Sequence, residues 1–201
     1  MQHDDIVRAA LDRIVAALAE ASDDLDGLDA VASDGNHGQH MLSGATAARD
    51  AAAGAPAGAA LSDAAEAWRA GAGFSNPLWG AVLGAAASVE RQGPVAMIDA
   101  ALSALHAMTD ANVGDKSVVD TLVPALDDAR DHLVRGETVT VAAARAADIA
   151  EEAALETAAL EARFDASNPD IGYPDPGATS SAVILGALAA TIAELSDDAD
   201  A

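Results

Sequence analysis

Leu28-Asp29-Ala30-Val31-Ala32-Ser33-Asp34-Gly35-Asn36-His37-Gly38-Gln39-His40-Met41 interrupts the pattern of the chain around it, and the fold turns on how that interruption is read. Upstream, Ile6, Val7, Ala10, Leu11, Ile14, Val15 and Leu18 recur at helical spacing after Asp4, a candidate cap. Such spacing is the mark of one apolar helix face. This helix is predicted to fade at Ser22-Asp23-Asp24. Residues 25–40 then read as a long polar loop, and helical pattern returns over residues 41–52. Asp29 and Asp34 offer carboxylate oxygens and Asn36 a carbonyl oxygen. Mg²⁺ takes such ligands octahedrally and leaves positions to phosphate and water. Gly35 and Gly38 let the backbone fold tightly, so that amides and a histidine face a phosphate. An EF-hand does not fit, because Leu28 occupies a ligand position and the bidentate glutamate is missing. An Asp/Gly-rich turn without a ligand has the same spacing, so this stretch alone leaves both readings open.

Outward from it, the chain alternates helical pattern with polar, Gly/Pro-marked breaks. Ser62 is read as the cap of a helix through Trp68. Gly71-Ala72-Gly73-Phe74-Ser75-Asn76-Pro77 is a second irregular element, followed by helix over residues 78–91 up to Gly93-Pro94. Met97, Ile98, Ala101, Leu102, Leu105 and Met108 mark the next helix. Asn112-Val113-Gly114-Asp115-Lys116 is the third break. Ser117 and Asp120 form a candidate capping box for a helix carrying Val118, Val119, Leu122, Leu126 and Leu133, with Pro124 expected to kink it. Thr140 is read as the cap of a helix over residues 141–163. Residues 165–177, with three prolines and three aspartates, form the fourth break. Val183, Ile184, Ala187, Leu188, Ile192 and Leu195 mark a last helix. The sum is seven or eight helices, almost no strand signal and four polar loops. Long loops inside a compact domain tend to carry function.

The composition supports helices packed on helices. Of 201 residues, 51% are hydrophobic but only 2% aromatic, so the interior is built from Ala, Leu, Val and Ile. Alanine is the best helix former. The length fits one domain spanning residues 1–201. The net charge of −23 disfavours nucleic acid and anionic lipid as partners. An acidic surface whose only lysine is Lys116 suits the cytoplasm of a salt-adapted organism, because dense carboxylates stay hydrated while salt screens their repulsion. The absence of cysteine excludes disulfides, thiolate metal sites and a cysteine nucleophile. Met1-Gln2-His3-Asp4-Asp5 lacks the features of a signal peptide. No apolar run is expected to reach membrane-spanning length.

The other loops carry weaker signals. Residues 71–77 place amides and Ser75 before a helix start, an anion-binding arrangement that is also an ordinary helix-to-helix turn. Lys116 at a helix entry reads as a specific cation or as an exposed lysine neutralising Asp115 or Asp120. Tyr173-Pro174-Asp175-Pro176-Gly177-Ala178 is a rigid turn that can wall a pocket or simply start a helix. Ser43, Ser180 and Ser181 lack a nucleophile-elbow setting. His3, His106 and His132 read as surface or satisfied histidines.

Taken in order, the four loops resemble the nucleotide-binding L subunit of dihydroxyacetone kinases. The resemblance rests on Leu28-Asp29, Ser33 to Gly38 and Met41; on Pro77-Leu78-Trp79-Gly80; on Gly114-Asp115-Lys116-Ser117 with Asp120 and Val123-Pro124; and on Ile171 to Ala178. It implies an all-α fold, an antiparallel eight-helix barrel with the nucleotide at one end. It implies Mg²⁺ ions, one or two, held by Asp29 and Asp34, with Asn36 where a third aspartate belongs. His37, Gly38, Gln39 and His40 would face the phosphates, with Phe74 and Ser75 as a second phosphate contact. Phe74 and Asn76 stand where small residues are expected and would crowd that loop. Ser117 would lie near the nucleoside, Asp175, Pro176 and Gly177 would line the pocket, and Arg163 would supply an arginine. No side-chain nucleophile is implied, since phosphoryl transfer rests on positioning and charge neutralisation. The implied nucleotide is ADP or ATP. The implied partners are a separate K-type subunit holding a short ketose and, for a retained ADP, a phosphohistidine donor protein. The alternative is a degenerate paralogue that binds or regulates without phosphotransfer.

Overall fold

The computed structural model describes residues 3–163 and 171–200, the last four as backbone only. Eight α-helices follow in order: α1 His3–Asp29, α2 His37–Gly54, α3 Ala60–Arg69, α4 Ser75–Ser88, α5 Pro94–Met108, α6 Val118–Val134, α7 Val139–Glu156 and α8 Pro176–Asp200. No strand occurs among the described residues. Each helix packs on the next, and α8 packs back on α1, which closes a ring. Short links between most packed neighbours make them antiparallel, and Asp175 N donating to Thr157 Oγ1 at 2.8 Å brings the start of α8 to the end of α7. The ends of α1, α3, α5 and α7 therefore meet the starts of α2, α4, α6 and α8 at one end of the ring, here called the mouth.

Small side chains at helical spacing hold the ring together. Ala142, Ala146, Ala150 and Ala154 line the buried face of α7, and Ala45, Ala48 and Ala52 that of α2. Alanine adds little side-chain entropy loss and lets backbones approach. The larger volume comes from Leu11, Ile14, Leu18 and Leu25 of α1, Leu122 of α6 and a stacked pair, Trp68 and Trp79, with ring centroids 5.8 Å apart.

Several boundaries differ from the sequence expectation, each for a local reason. α1 does not fade at Ser22 but continues to Asp29, because Leu25 is buried and carries the apolar stripe two turns further. The first loop is thus only residues 30–36. α2 begins at His37 rather than near Met41. Ser62 is not a cap: it lies inside α3, and its hydroxyl donates to Ala59 O at 2.9 Å. α4 starts at Ser75 and ends at Ser88, followed by a 3₁₀ turn at Glu90–Gln92. The capping box of α6 is present as expected, and the helix runs through Pro124 to Val134. The cap of α7 is Thr138, whose hydroxyl accepts from Val141 N at 3.2 Å, and not Thr140. That helix stops at Glu156, well before Arg163, where a 3₁₀ turn over Thr157–Ala159 takes over. Of the fourth irregular stretch, Asp165, Pro169 and Asp170 lie outside the described residues.

One composition-based expectation is corrected. Pro176–Ser196 is long and apolar enough to cross a membrane by length and composition, with mean hydropathy 1.6. Its apolar residues instead serve helix packing: α8 touches α1, α6 and α7, with Ile184, Leu185 and Ala187 buried.

Candidate functional site

A cavity of about 260 Å³ opens at the mouth between two walls. One wall is Asp29, Ser33, Asp34, Asn36, His37, His40 and Met41; the other is residues 72–76. The helix ends give the cavity a mixed polarity. α1 terminates there at Asp29, bringing the negative end of its dipole; α2 and α4 begin there, bringing positive ends. Phe74 occupies the cap position of α4, and no side chain caps that helix. The cavity thus combines acidic oxygens for a cation with a helix start suited to an anion.

Carboxylates on the last turn of α1 build the first wall. Asp29 Oδ2 accepts from Asn36 N at 2.9 Å, and Asp29 O accepts from Ser33 N at 2.7 Å, so the loop folds back over the helix end. Gly35 completes the turn with φ +72°, a region glycine enters without strain. Asp34 is exposed, and the Ser33 hydroxyl, at 3.4 Å, is its one hydrogen-bond partner among the described residues. Asp26, one turn before Asp29, accepts at Oδ1 from Gly38 N (2.7 Å) and Gln39 N (3.2 Å), and at Oδ2 from Gln39 Nε2 (2.9 Å). Asp26 thereby caps α2 from the preceding helix. Gly38 and Gln39, expected to face phosphate, are engaged by this carboxylate and do not line the cavity. Gly38 has a further reason to be glycine: a Cβ there would lie 2.1 Å from Ser22 O.

His37 bridges the mouth. Its Nε2 lies 2.9 Å from the Ser180 hydroxyl on α8, and Ser180 Oγ also donates to Gly177 O at 3.1 Å. Burial pulls the His37 imidazole below its usual range, while the Asp29 carboxylate opposes that shift and His40 adds to it.

Of the two residues expected to crowd the second wall, Asn76 is turned into the protein, whereas Phe74 lines the cavity and is 70% exposed. Asn76 is fully buried: Oδ1 accepts from Trp68 Nε1 at 2.9 Å, and Nδ2 donates to Ala72 O at 2.6 Å and His40 O at 2.8 Å.

The remaining predicted residues lie at the mouth but not on this cavity. Asp120 Oδ1 accepts from Gly114 N (2.6 Å), and Oδ2 accepts from Ser117 N (2.7 Å). Ser117 Oγ in turn accepts from Val119 N at 3.2 Å. Asp175 caps α8: its Oδ1 accepts from Ala178 N at 2.6 Å, with Pro176 at the first helical position, a favoured pairing. Burial raises the Asp175 carboxyl to about 6; the bond from Ala178 opposes the rise, and Asp120 adds to it. A Cβ on Gly177 would lie 3.1 Å from Asp175 Oδ1, the oxygen that caps α8. Lys116 is not an exposed lysine. It is 5% exposed, sits at φ +58°, and its Nζ donates to Leu160 O at 3.3 Å. Arg163 is held against the third loop, donating to Asp110 O and Asp115 Oδ2, each at 2.7 Å. Asp115 is pushed below its ordinary range, chiefly by the Asn112 amide and then by Arg163. A second cavity of about 330 Å³ lies beside this half, walled by Val113, Pro124, Ile149 and Leu160, with Asp120, Glu152 and Glu156 at its edges. His132 lies far from the mouth, within ion-pair distance of Glu137 and Asp128, with Glu137 Oε1 2.8 Å from its Nδ1.

The chemistry of the first cavity suits Mg²⁺. Among the described residues no group of three or more His, Cys, Asp or Glu side chains is arranged to hold a metal. Mg²⁺ does not need one, since it is usually bound by one or two carboxylates and keeps water and phosphate oxygens as its other ligands. Asp29, Asp34 and Asn36, which line one cavity, are the residues that could hold such an ion. Sequence reading missed Asp26 and misjudged Asn76. Asp26 was legible only with α1 extended to Asp29, which puts the two aspartates three residues apart on one helix face. Nothing in the local sequence announced the seat of Asn76, because its partners are spread over α2, α3 and the turn before α4.

Comparison with known proteins agrees with this architecture. The chain is 38% identical over 197 residues to the D-erythrulose kinase of Mycolicibacterium smegmatis, a match that covers 89% of this chain and 34% of that protein. The chain therefore spans about a third of the length of that relative. Over 83 residues it is 36% identical to the ADP-binding subunit DhaL of the PEP-dependent dihydroxyacetone kinase of Escherichia coli, covering 39% of this chain and 40% of that one. The crystal structure of the dihydroxyacetone kinase of C. freundii in its native form superposes with a TM-score of 0.73 at 24% identity, over 92% of this chain and 34% of that chain. Its complex with AMP-PNP and Mg²⁺ gives 0.70 at 24% identity, over 92% and 33%. At that identity the likeness bears on the fold alone. The DAK2 domain model matches residues 31–190, which contain all four mouth loops but for the first turn residues, and the chain belongs to the DAK2 domain family.

Proposed function

We propose that this chain, acting as a single domain, is the nucleotide- and Mg²⁺-binding part of a kinase for a short ketose. The observation that carries the reading is the shared cavity, in which Asp29 and Asp34 meet the uncapped start of α4. Asp29, Asp34 and the Asn36 carbonyl would hold Mg²⁺, whose bound charge offsets that of the phosphates. The α4 start with Ser75, together with His37 and His40, would take the phosphate chain. Because Asp26 already occupies the amides of Gly38 and Gln39, those two residues act by holding the loop rather than by touching phosphate. The nucleoside would extend toward Ser117 and the turn Asp175-Pro176-Gly177. Arg163 would brace that side through Asp110 and Asp115.

Support for the substrate class comes from relatives that are named erythrulose kinases, and support for the ligands from one named an ADP-binding subunit and a solved neighbour bound to AMP-PNP and Mg²⁺. The ketose would be held by a K-type partner, and the phosphate would come from ATP or from a phosphohistidine protein recharging a retained ADP. The chain itself would position the phosphoryl group and exclude water, without forming a covalent bond to it.

A second reading is favoured by Asn36, which leaves the cavity one carboxylate poorer than the resemblance implies: a protein that binds or regulates without transferring phosphate. Calorimetry of the full chain with Mg²⁺ and ADP or ATP, at low and high salt, tests the proposal. Mg²⁺-dependent nucleotide binding is the expected result. Absence of heat under every condition would overturn it and favour the second reading.

A further inference from the structure

Asn76 belongs to the wall made by residues 72–76, and its fully buried side-chain amide ties that wall to the other. Its three hydrogen bonds reach three different elements: the Trp68 indole on α3, the Ala72 carbonyl in the turn before α4, and the His40 carbonyl in the first turn of α2. Only one orientation of the amide satisfies all three. The indole is a donor and needs Oδ1; both carbonyls are acceptors and need Nδ2. Two glycines make the seat. A Cβ on Gly44 of α2 would lie 2.3 Å from Asn76 Oδ1, and one on Gly71 would lie 2.6 Å from Nδ2. Gly73 completes the closure, since a Cβ there would lie 2.8 Å from His40 Nδ1. The acidic wall and the phosphate-facing wall are thus joined through one side chain, and Ser75, the residue before it, begins α4.

We infer that Asn76 is a positioning residue that fixes the gap between the acidic loop and the start of α4, and that couples the occupancy of the cavity to the Trp68 indole. The inference rests on the nucleotide reading proposed above. Asn76 itself touches no ligand; it acts through His40 and Ser75. A gap set by a fully bonded buried amide is stiff, because breaking any of the three bonds strands a buried polar partner. When Mg²⁺ and nucleotide draw the two walls together, the strain passes along Nδ2 to the amide and so to the indole N–H on Oδ1. The second tryptophan is the internal control: Trp79 Nε1 is buried with no hydrogen-bond partner among the described residues.

The test uses the full chain, with Mg²⁺ and ADP as the probe, read by calorimetry and by the two indole N–H resonances in ¹H–¹⁵N spectra. In the unaltered chain, saturation should move the Trp68 resonance clearly more than that of Trp79. Asn76→Gly, checked for helicity by circular dichroism, should weaken binding about tenfold or more, as expected for losing one to two net hydrogen bonds, and should abolish the Trp68 response. If Asn76→Gly does not fold, Trp68→Phe removes only the indole donor and should weaken binding about threefold. Unchanged affinity in the folded variant, or a Trp79 response equal to that of Trp68, would overturn the positioning role while leaving the proposed function intact. If the unaltered chain binds no Mg²⁺–ADP, the proposed function fails first, and this inference fails with it.

Discussion

The two halves of the mouth use the same residue type in opposite ways. On the α1–α4 side, Asp34 is exposed and Asp29 spends one oxygen on Asn36 N, so acidic oxygens remain facing a cavity. On the α6–α8 side, both oxygens of Asp120 are taken by the amides of Gly114 and Ser117, Asp115 is held by Asn112 and Arg163, and Asp175 is buried with one oxygen on Ala178 N. On the proposed reading the first half meets a cation, whereas the second keeps loops in place. An acidic cluster is therefore not a ligand site by composition alone. The deciding quantity is how many oxygen lone pairs remain after the local backbone has taken its share.

The contrast can be broken most directly at Asp34. Asp34→Ala should weaken Mg²⁺-dependent nucleotide binding roughly 10- to 100-fold, the loss expected for one charge-assisted contact. Melting should shift little, because an exposed residue with one weak partner contributes under about 0.5 kcal/mol. Equilibrium dialysis and a thermal scan measure both, and unchanged retention would remove Asp34 from the site. Asp120→Ala should do the reverse. Loss of the carboxylate that holds Gly114 N and Ser117 N should cost about 1–2 kcal/mol, a melting shift of roughly 2–8 °C for a chain of this size. Its loss of nucleotide affinity should be smaller than that of Asp34→Ala; a larger one would erase the distinction between the halves.

The smallest effect sharpens the second half. Asp175 titrates near 6 in the folded chain, above its ordinary 3.8. The folded state therefore keeps a proton over a range in which the unfolded chain has lost it. The stability linked to that proton is fully present below about pH 4 and is lost as pH rises through about 6. Asp175→Asn stays neutral throughout and should flatten this part of the melting temperature profile between about pH 4 and 7. An unchanged slope would assign the pH dependence to other groups.

Sequence by itself determined the helical class, the order of the helices, their number to seven or eight, and the four polar breaks between them. It did so because apolar periodicity and Gly/Pro punctuation act over a few residues, where the physics is local. It also marked Asp29 and Asp34, since hard oxygens punctuated by glycine are visible in one short window. Only the tertiary structure decided that α1 runs on to Asp29, where burial of Leu25 outweighs the polar Ser22-Asp23-Asp24. Only it decided that Lys116 is buried against Leu160 O, that Gly38 and Gln39 are held by Asp26, and that Asn76 has a seat at all. Each of these depends on atoms brought together from distant parts of the chain. Whether a polar side chain is spent on its own fold or left for a ligand is settled by that assembly.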